Sequence, residues 1–130
     1  MAGLSAGERA ADALLARKEE LARRITASIF AADPGLVQRH GEVGRARCQQ
    51  DMHYTLEHLA PALALGEPAL FAGYVRWLVS LMASLGIPAC DVQRTLQATR
   101  ELLQAELAAD EAAVAVRTIE AARAAAELPP

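Results

Sequence analysis

The sequence predicts an all-α fold. Hydrophobic residues make up 53% of the chain and aromatics only 4%, with much of the apolar fraction supplied by alanine. Alanine is the strongest helix former, whereas strands draw on β-branched and aromatic residues. The larger apolar side chains recur at intervals of three, four and seven, which is the spacing of one helix face. Glycine and proline fall between these periodic segments. At 130 residues the chain suits a single domain over positions 1–130.

Each element has its own local signals. Ser5-Ala-Gly-Glu8 fits a capping box, with the serine side chain on the backbone and the glutamate reaching back. A helix is expected from there to about Ala31, with Leu14, Leu21, Ile25 and Ile29 as its apolar face, and Asp33-Pro34-Gly35 stops it. A short piece covers Leu36 to His40, and Gly41 and Gly44 loosen the chain. The next helix is expected from about Glu42 to Leu65, with Leu56, Leu59 and Leu63 on its apolar side. Pro61 predicts a kink in its last turn. Gly66 is placed as the C-terminal stop and Pro68 as a first-turn residue. A helix from Pro68 to about Leu85 carries Phe71, Tyr74, Val75, Leu78 and Met82, and Gly86-Ile-Pro88 makes a corner. Val92, Leu96, Leu103 and Leu107 mark a helix from Ala89 to Leu107. Val114 and Ile119 anchor the last, from Asp110 to Glu127.

Composition excludes several classes of function. The formal net charge is −3 and there is no basic tract, so a nucleic-acid partner is not expected. Two cysteines do not make a disulfide framework. Glu8, Arg9 and Asp12 interrupt the N-terminal segment, which therefore does not read as a signal peptide. The most apolar run, Ala69 to Ala89, carries Arg76 near its centre, and a central arginine costs roughly 2.5–3.5 kcal/mol on insertion scales. A soluble, cytoplasmic protein without a membrane partner is expected. No Ser/His/Asp triad, phosphate loop or carboxylate pair assembles, so the chain is not read as an enzyme.

The most informative stretch is Arg45-Ala-Arg47-Cys48-Gln-Gln50-Asp51-Met-His53-Tyr54-Thr-Leu56-Glu-His58. Residues three and four apart share a helix face, which places Cys48 and Asp51 in one pocket. A thiol beside a carboxylate suits a linear tetrapyrrole: the thiol adds to an exocyclic double bond, and the carboxylate accepts pyrrole N–H groups. Such charge-assisted bonds are about twice as strong as neutral ones. Arg45 and Arg47 are positioned to lower the thiol pKa and, with Arg39, to hold propionates.

These residues resemble the phycobiliprotein signature Arg-x-x-Cys-x-Arg-Asp-Met-x-Tyr-x-Leu-Arg. Here it runs from Cys48 through Asp51, Met52 and Tyr54 to Leu56, followed by Ala62-Leu-Ala-Leu-Gly66-Glu67 and the corner Leu85-Gly86-Ile87-Pro88. Phe30-Ala-Ala-Asp-Pro34-Gly-Leu36 is similar to an upstream family pattern. The resemblance implies a globin-like fold and a bilin cofactor, with a thioether at Cys48 or non-covalent attachment. It also implies that Asp51 bridges the pyrrole nitrogens and that Tyr54 lies in or near the pocket. The chain departs from the pattern at Gln50, where the family has a propionate-holding arginine, and at Glu57, where it has a basic residue. Only 47 residues precede Cys48, too few for the family's N-terminal helical hairpin. The chain is most similar to short bacterial globins associated with bilin biosynthesis. It is expected to act as a carrier, storage or accessory protein in bilin metabolism, with biosynthetic enzymes as partners, rather than in an antenna.

Two alternatives stand beside this one. A pigment-free signalling globin would act as a dimer, and the apolar faces of the first helix and of residues 69–85 point to a homodimer. A haem-binding globin would use His53 or His58 as the axial ligand, although the two are five residues apart and share no helix face. Trp77 and Tyr74 are read as core or interface anchors.

Overall fold

The capping box predicted at Ser5 is present: Glu8 N–H donates to the Ser5 hydroxyl at 3.1 Å, and the Ser5 N–H donates to the Glu8 carboxylate at 3.0 Å. It starts α1, Ala6–Ala16, in the computed structural model of the chain, which describes residues 3–129. The single first helix expected to Ala31 is two helices. Arg17, at φ −112° and ψ 17°, separates α1 from α2, Lys18–Ala32. No glycine or proline marks this break. It is held by ion pairs instead, because the Glu106 carboxylate accepts hydrogen bonds from Arg17 at 2.7 Å and from Arg24 at 2.6 Å. These two guanidinium groups pull the Glu106 carboxyl down to about 2. The inter-residue clasp ties the α1–α2 junction to the end of a helix far along the chain.

Helix α3 spans Gly35–Leu65 and is interrupted only at Gly41 (φ 66°, ψ −168°). A β-carbon would strain that left-handed region. Gly44 lies inside the helix, so only one of the two expected loosening glycines acts as one. The backbone keeps helical angles through Pro61, and the helix ends at Gly66 (φ 64°) as predicted. After it come α4, Pro68–Ser84, with Pro68 in its first turn, then α5, Ala89–Glu106, and α6, Ala109–Ala125.

Helices α1 and α2 pack across α3, while α4 and α5 pack on α6; α1 also meets α6, and α2 meets α5. The predicted apolar faces meet in this core: Leu14, Leu21, Ile25, Leu56, Leu59, Phe71, Val75 and Leu103 are fully buried. At Gly7 the α1 backbone comes so close to α3 that an added β-carbon would fall 2.2 Å from the Leu63 carbonyl oxygen. Of the apolar faces read as a dimer contact, Leu14, Leu21, Ile25, Phe71, Val75 and Leu78 are buried inside the chain, while Leu70, Trp77, Leu81 and Leu85 stay exposed. No described helix is long and apolar enough to cross a membrane.

Candidate functional site on α3

Helix α3 carries two neighbouring stripes with different surroundings. Cys48 falls in register with Met52, Thr55 and Leu59, the buried stripe, and packs against the core. Asp51 falls in register with Thr55 and His58, along the edge that meets α4. The two side chains are close enough for the Asp51 charge to act on the Cys48 thiol. Neither residue lines either of two cavities found elsewhere on the chain. One is a space of about 10 Å³ between α5 and α6, and the other an open polar groove of about 480 Å³ lined by Glu19, Glu20 and Arg23 of α2 and by Gln49 and His53 of α3.

The thiol is shielded. Burial pushes the Cys48 pKa up, and the Asp51 charge adds to the rise; the Thr26 hydroxyl and the Arg45 charge oppose it without reversing it. Arg45 lowers the thiol pKa, as expected of a nearby guanidinium, but desolvation outweighs it. Arg45 sits over the Phe30 ring, 5.3 Å from its centroid, a cation–π contact. Thr26, itself buried, donates to the Ala22 carbonyl of its own helix, and its hydroxyl faces the Cys48 thiol across the α2–α3 contact.

On the Asp51 edge the side chains build a polar and aromatic wall. Thr55 donates to the Asp51 backbone carbonyl at 3.0 Å and shares a 3.2 Å hydrogen bond with the Tyr74 hydroxyl. The His58 ring lies flat on Tyr74, with centroids 4.1 Å apart and planes at 14°. Its Nδ1 is 2.7 Å from the Tyr54 carbonyl, so that nitrogen donates and Nε2 points away from the bond. Phe71 lies behind Tyr74 and Trp77 beside it, each at 5.9 Å. The Asp51 carboxylate makes no hydrogen bond or ion pair among the described residues. Burial raises its pKa, and Arg47 only partly offsets the rise. The Tyr74 phenol is also raised, by burial first and by the Asp51 charge in part.

The remaining sequence-derived candidates divide. Arg47 is exposed and acts on Asp51 through its charge. Arg39 pairs with Asp33 at 2.8 Å, which Arg94 also contacts. Gln50 and Tyr54 hydrogen-bond to each other at 3.2 Å on the exposed side of α3, away from the buried stripe of Cys48. Tyr54 therefore does not line a pocket with Cys48. Sequence reasoning missed the grouping of Thr55, His58 and Tyr74. The spacing of 51, 55 and 58 was the available signal, and the tertiary contact with Tyr74 was not visible in it. His58 stacks on an aromatic ring, and no cluster of three metal-ligating side chains occurs among the described residues.

Among the described residues, six helices in a globin-like fold and a half-buried carboxylate without a partner beside stacked rings define the class of protein. Within that class the chain belongs to the phycobilisome protein family, which it matches across residues 4–125. Membership implies binding of a bilin chromophore. No curated protein and no solved structure matches the chain.

Proposed function

We propose that the chain binds a linear tetrapyrrole non-covalently and serves as a cytoplasmic carrier, storage or accessory protein in bilin metabolism, handing pigment to or from biosynthetic enzymes, and is neither an antenna subunit nor an enzyme. One observation carries this reading: in a chain of a bilin-binding family, Asp51 is a half-buried carboxylate with no partner among the described residues, next to His58 and Tyr74. The residues present fit the pigment unequally. Asp51 has free acceptor capacity for several pyrrole N–H groups, and their binding would offset the cost of its burial. Arg47, exposed beside it, suits a propionate. Cys48 is a poor nucleophile where it stands, since the thiolate and not the thiol adds to the pigment. The bound pigment would supply an extended conjugated system; the protein would supply orientation and a protonated, planar pyrrole core. With Gln50 in place of the family's arginine and a shielded thiol, the grip is looser than a light-harvesting subunit requires.

Titration of the purified protein with biliverdin tests this. The expected result is a shifted absorbance band with induced circular dichroism, and pigment that runs free of the protein on a zinc-stained denaturing gel. A zinc-fluorescent protein band that disappears in Cys48→Ser would contradict non-covalent binding. Absence of any spectral change would contradict pigment binding itself.

A further inference from the structure

Resting on the pigment-binding reading of Asp51, we propose that His58 is a second residue that holds the tetrapyrrole. Its Nε2 accepts the N–H of a terminal lactam ring, and its spacing from Asp51 selects an extended, open-chain pigment over a cyclic one. The His58 side chain is exposed. An exposed side chain ordinarily changes rotamer freely. This one is held twice. Its Nδ1 lies 2.7 Å from the Tyr54 carbonyl, one turn back, and its ring lies flat on Tyr74 at 4.1 Å. Tyr74 is itself fixed, being buried and sharing a 3.2 Å hydrogen bond with Thr55. A carbonyl only accepts, so Nδ1 carries the proton and Nε2 of the neutral ring is an acceptor. That nitrogen has no hydrogen-bond partner among the described residues.

The stripe that carries Asp51 therefore presents a second fixed acceptor. Residues 51 and 58 differ by about 20° around the helix and by about 10.5 Å along it. The bond to the Tyr54 carbonyl draws the imidazole back in the direction of Asp51. Two acceptors so separated fit a ligand with N–H donors spread along its length. An extended linear tetrapyrrole has inner pyrrole N–H groups for Asp51 and a lactam N–H on each terminal ring for His58. A macrocycle confines its nitrogens to one small core. An iron porphyrin has no N–H at all: its metal would engage Nε2 and leave the half-buried Asp51 carboxylate without a donor. The open-chain pigment satisfies both groups, and the ring stacked on Tyr74 is in place before it arrives, which lowers the ordering cost of binding.

Absorbance titrations with biliverdin, biliverdin dimethyl ester and hemin are the test. The wild type is expected to bind biliverdin more tightly than hemin. His58→Phe keeps a ring for Tyr74 and removes the acceptor. It should bind biliverdin and the ester each about tenfold more weakly, the loss of one hydrogen bond. His58→Gln, whose amide oxygen accepts, should recover part of that loss. Equal biliverdin affinity in wild type and His58→Phe would overturn the role of His58 and leave the reading of Asp51 standing. A loss for biliverdin but not for the ester would assign His58 to a propionate and overturn the lactam contact. No recovery in His58→Gln would mark the loss as one of packing, with the same consequence. Hemin bound as tightly as biliverdin, and lost in His58→Phe, would give Nε2 to iron and overturn the selectivity. A wild type that binds no biliverdin would remove the pigment-binding reading itself, and this contact with it.

Discussion

Cys48 and Asp51 are three residues apart on one helix, yet the structure treats them oppositely. The cysteine side is closed by α2: Thr26 packs there, the thiol is desolvated, and the nearest guanidinium, Arg45, is drawn to the Phe30 ring. The aspartate side is bordered by α4: a carboxylate without a partner among the described residues stands beside a stacked histidine and tyrosine. A turn of 60° around a helix thus separates a residue that behaves as core from one that behaves as a site. Sequence motifs record that two residues share a face; only packing decides which of them meets the ligand.

The sharpest way to break the comparison is to remove the support of one side. Phe71→Ala empties a fully buried position behind Tyr74. It should cost about 3–5 kcal/mol in urea denaturation, the range for truncating a buried phenylalanine. A cost under about 1 kcal/mol would mean that the aromatic wall is not anchored in the core.

Thiol chemistry addresses the other side directly. Cys90 is exposed and Cys48 is half-buried with its pKa raised. A disulfide reagent at neutral pH should modify Cys90 at least about ten times faster than Cys48 in the native protein. Equal rates would show Cys48 to be open, and the contrast between the two sides would fail.

Smaller effects sharpen the account of the aspartate side. Tyr74→Phe removes the hydroxyl that bonds Thr55 and should cost about 1 kcal/mol, read as a lowered urea midpoint with an unchanged slope. Asp51→Asn should act the other way. A carboxyl whose pKa is raised in the folded state is ionised at a cost above that pKa, so at pH 7 the native protein bears a penalty that asparagine lacks. The variant should melt slightly higher at neutral pH. The gain should vanish as the pH falls below the ordinary aspartate value, where the carboxyl is protonated in both states. A variant that melts lower at pH 7 would place a stabilising partner on Asp51.

Much of the fold was legible from local signals. The capping box at Ser5, the left-handed Gly66 and the periodic leucines each encode their own geometry, and they marked helix ends and faces to within a few residues. The break at Arg17 was not legible, because it depends on Glu106, 89 residues away. The site was legible in part. Asp51 stood out by its motif, but the burial of Cys48 depends on Thr26, and the place of His58 depends on Tyr74, contacts that belong to other helices. Trp77 was read as a core or interface anchor, and its 58% exposure removes it from the core.

The central claim is that pigment recognition rests on Asp51 and not on Cys48. Biliverdin affinity measured by absorbance titration, for Asp51→Asn and Cys48→Ala side by side, tests it most directly. The account predicts at least about a tenfold loss of affinity for Asp51→Asn, the loss of one charge-assisted bond, and an affinity close to wild type for Cys48→Ala. An unchanged affinity in Asp51→Asn together with lost binding in Cys48→Ala would contradict it.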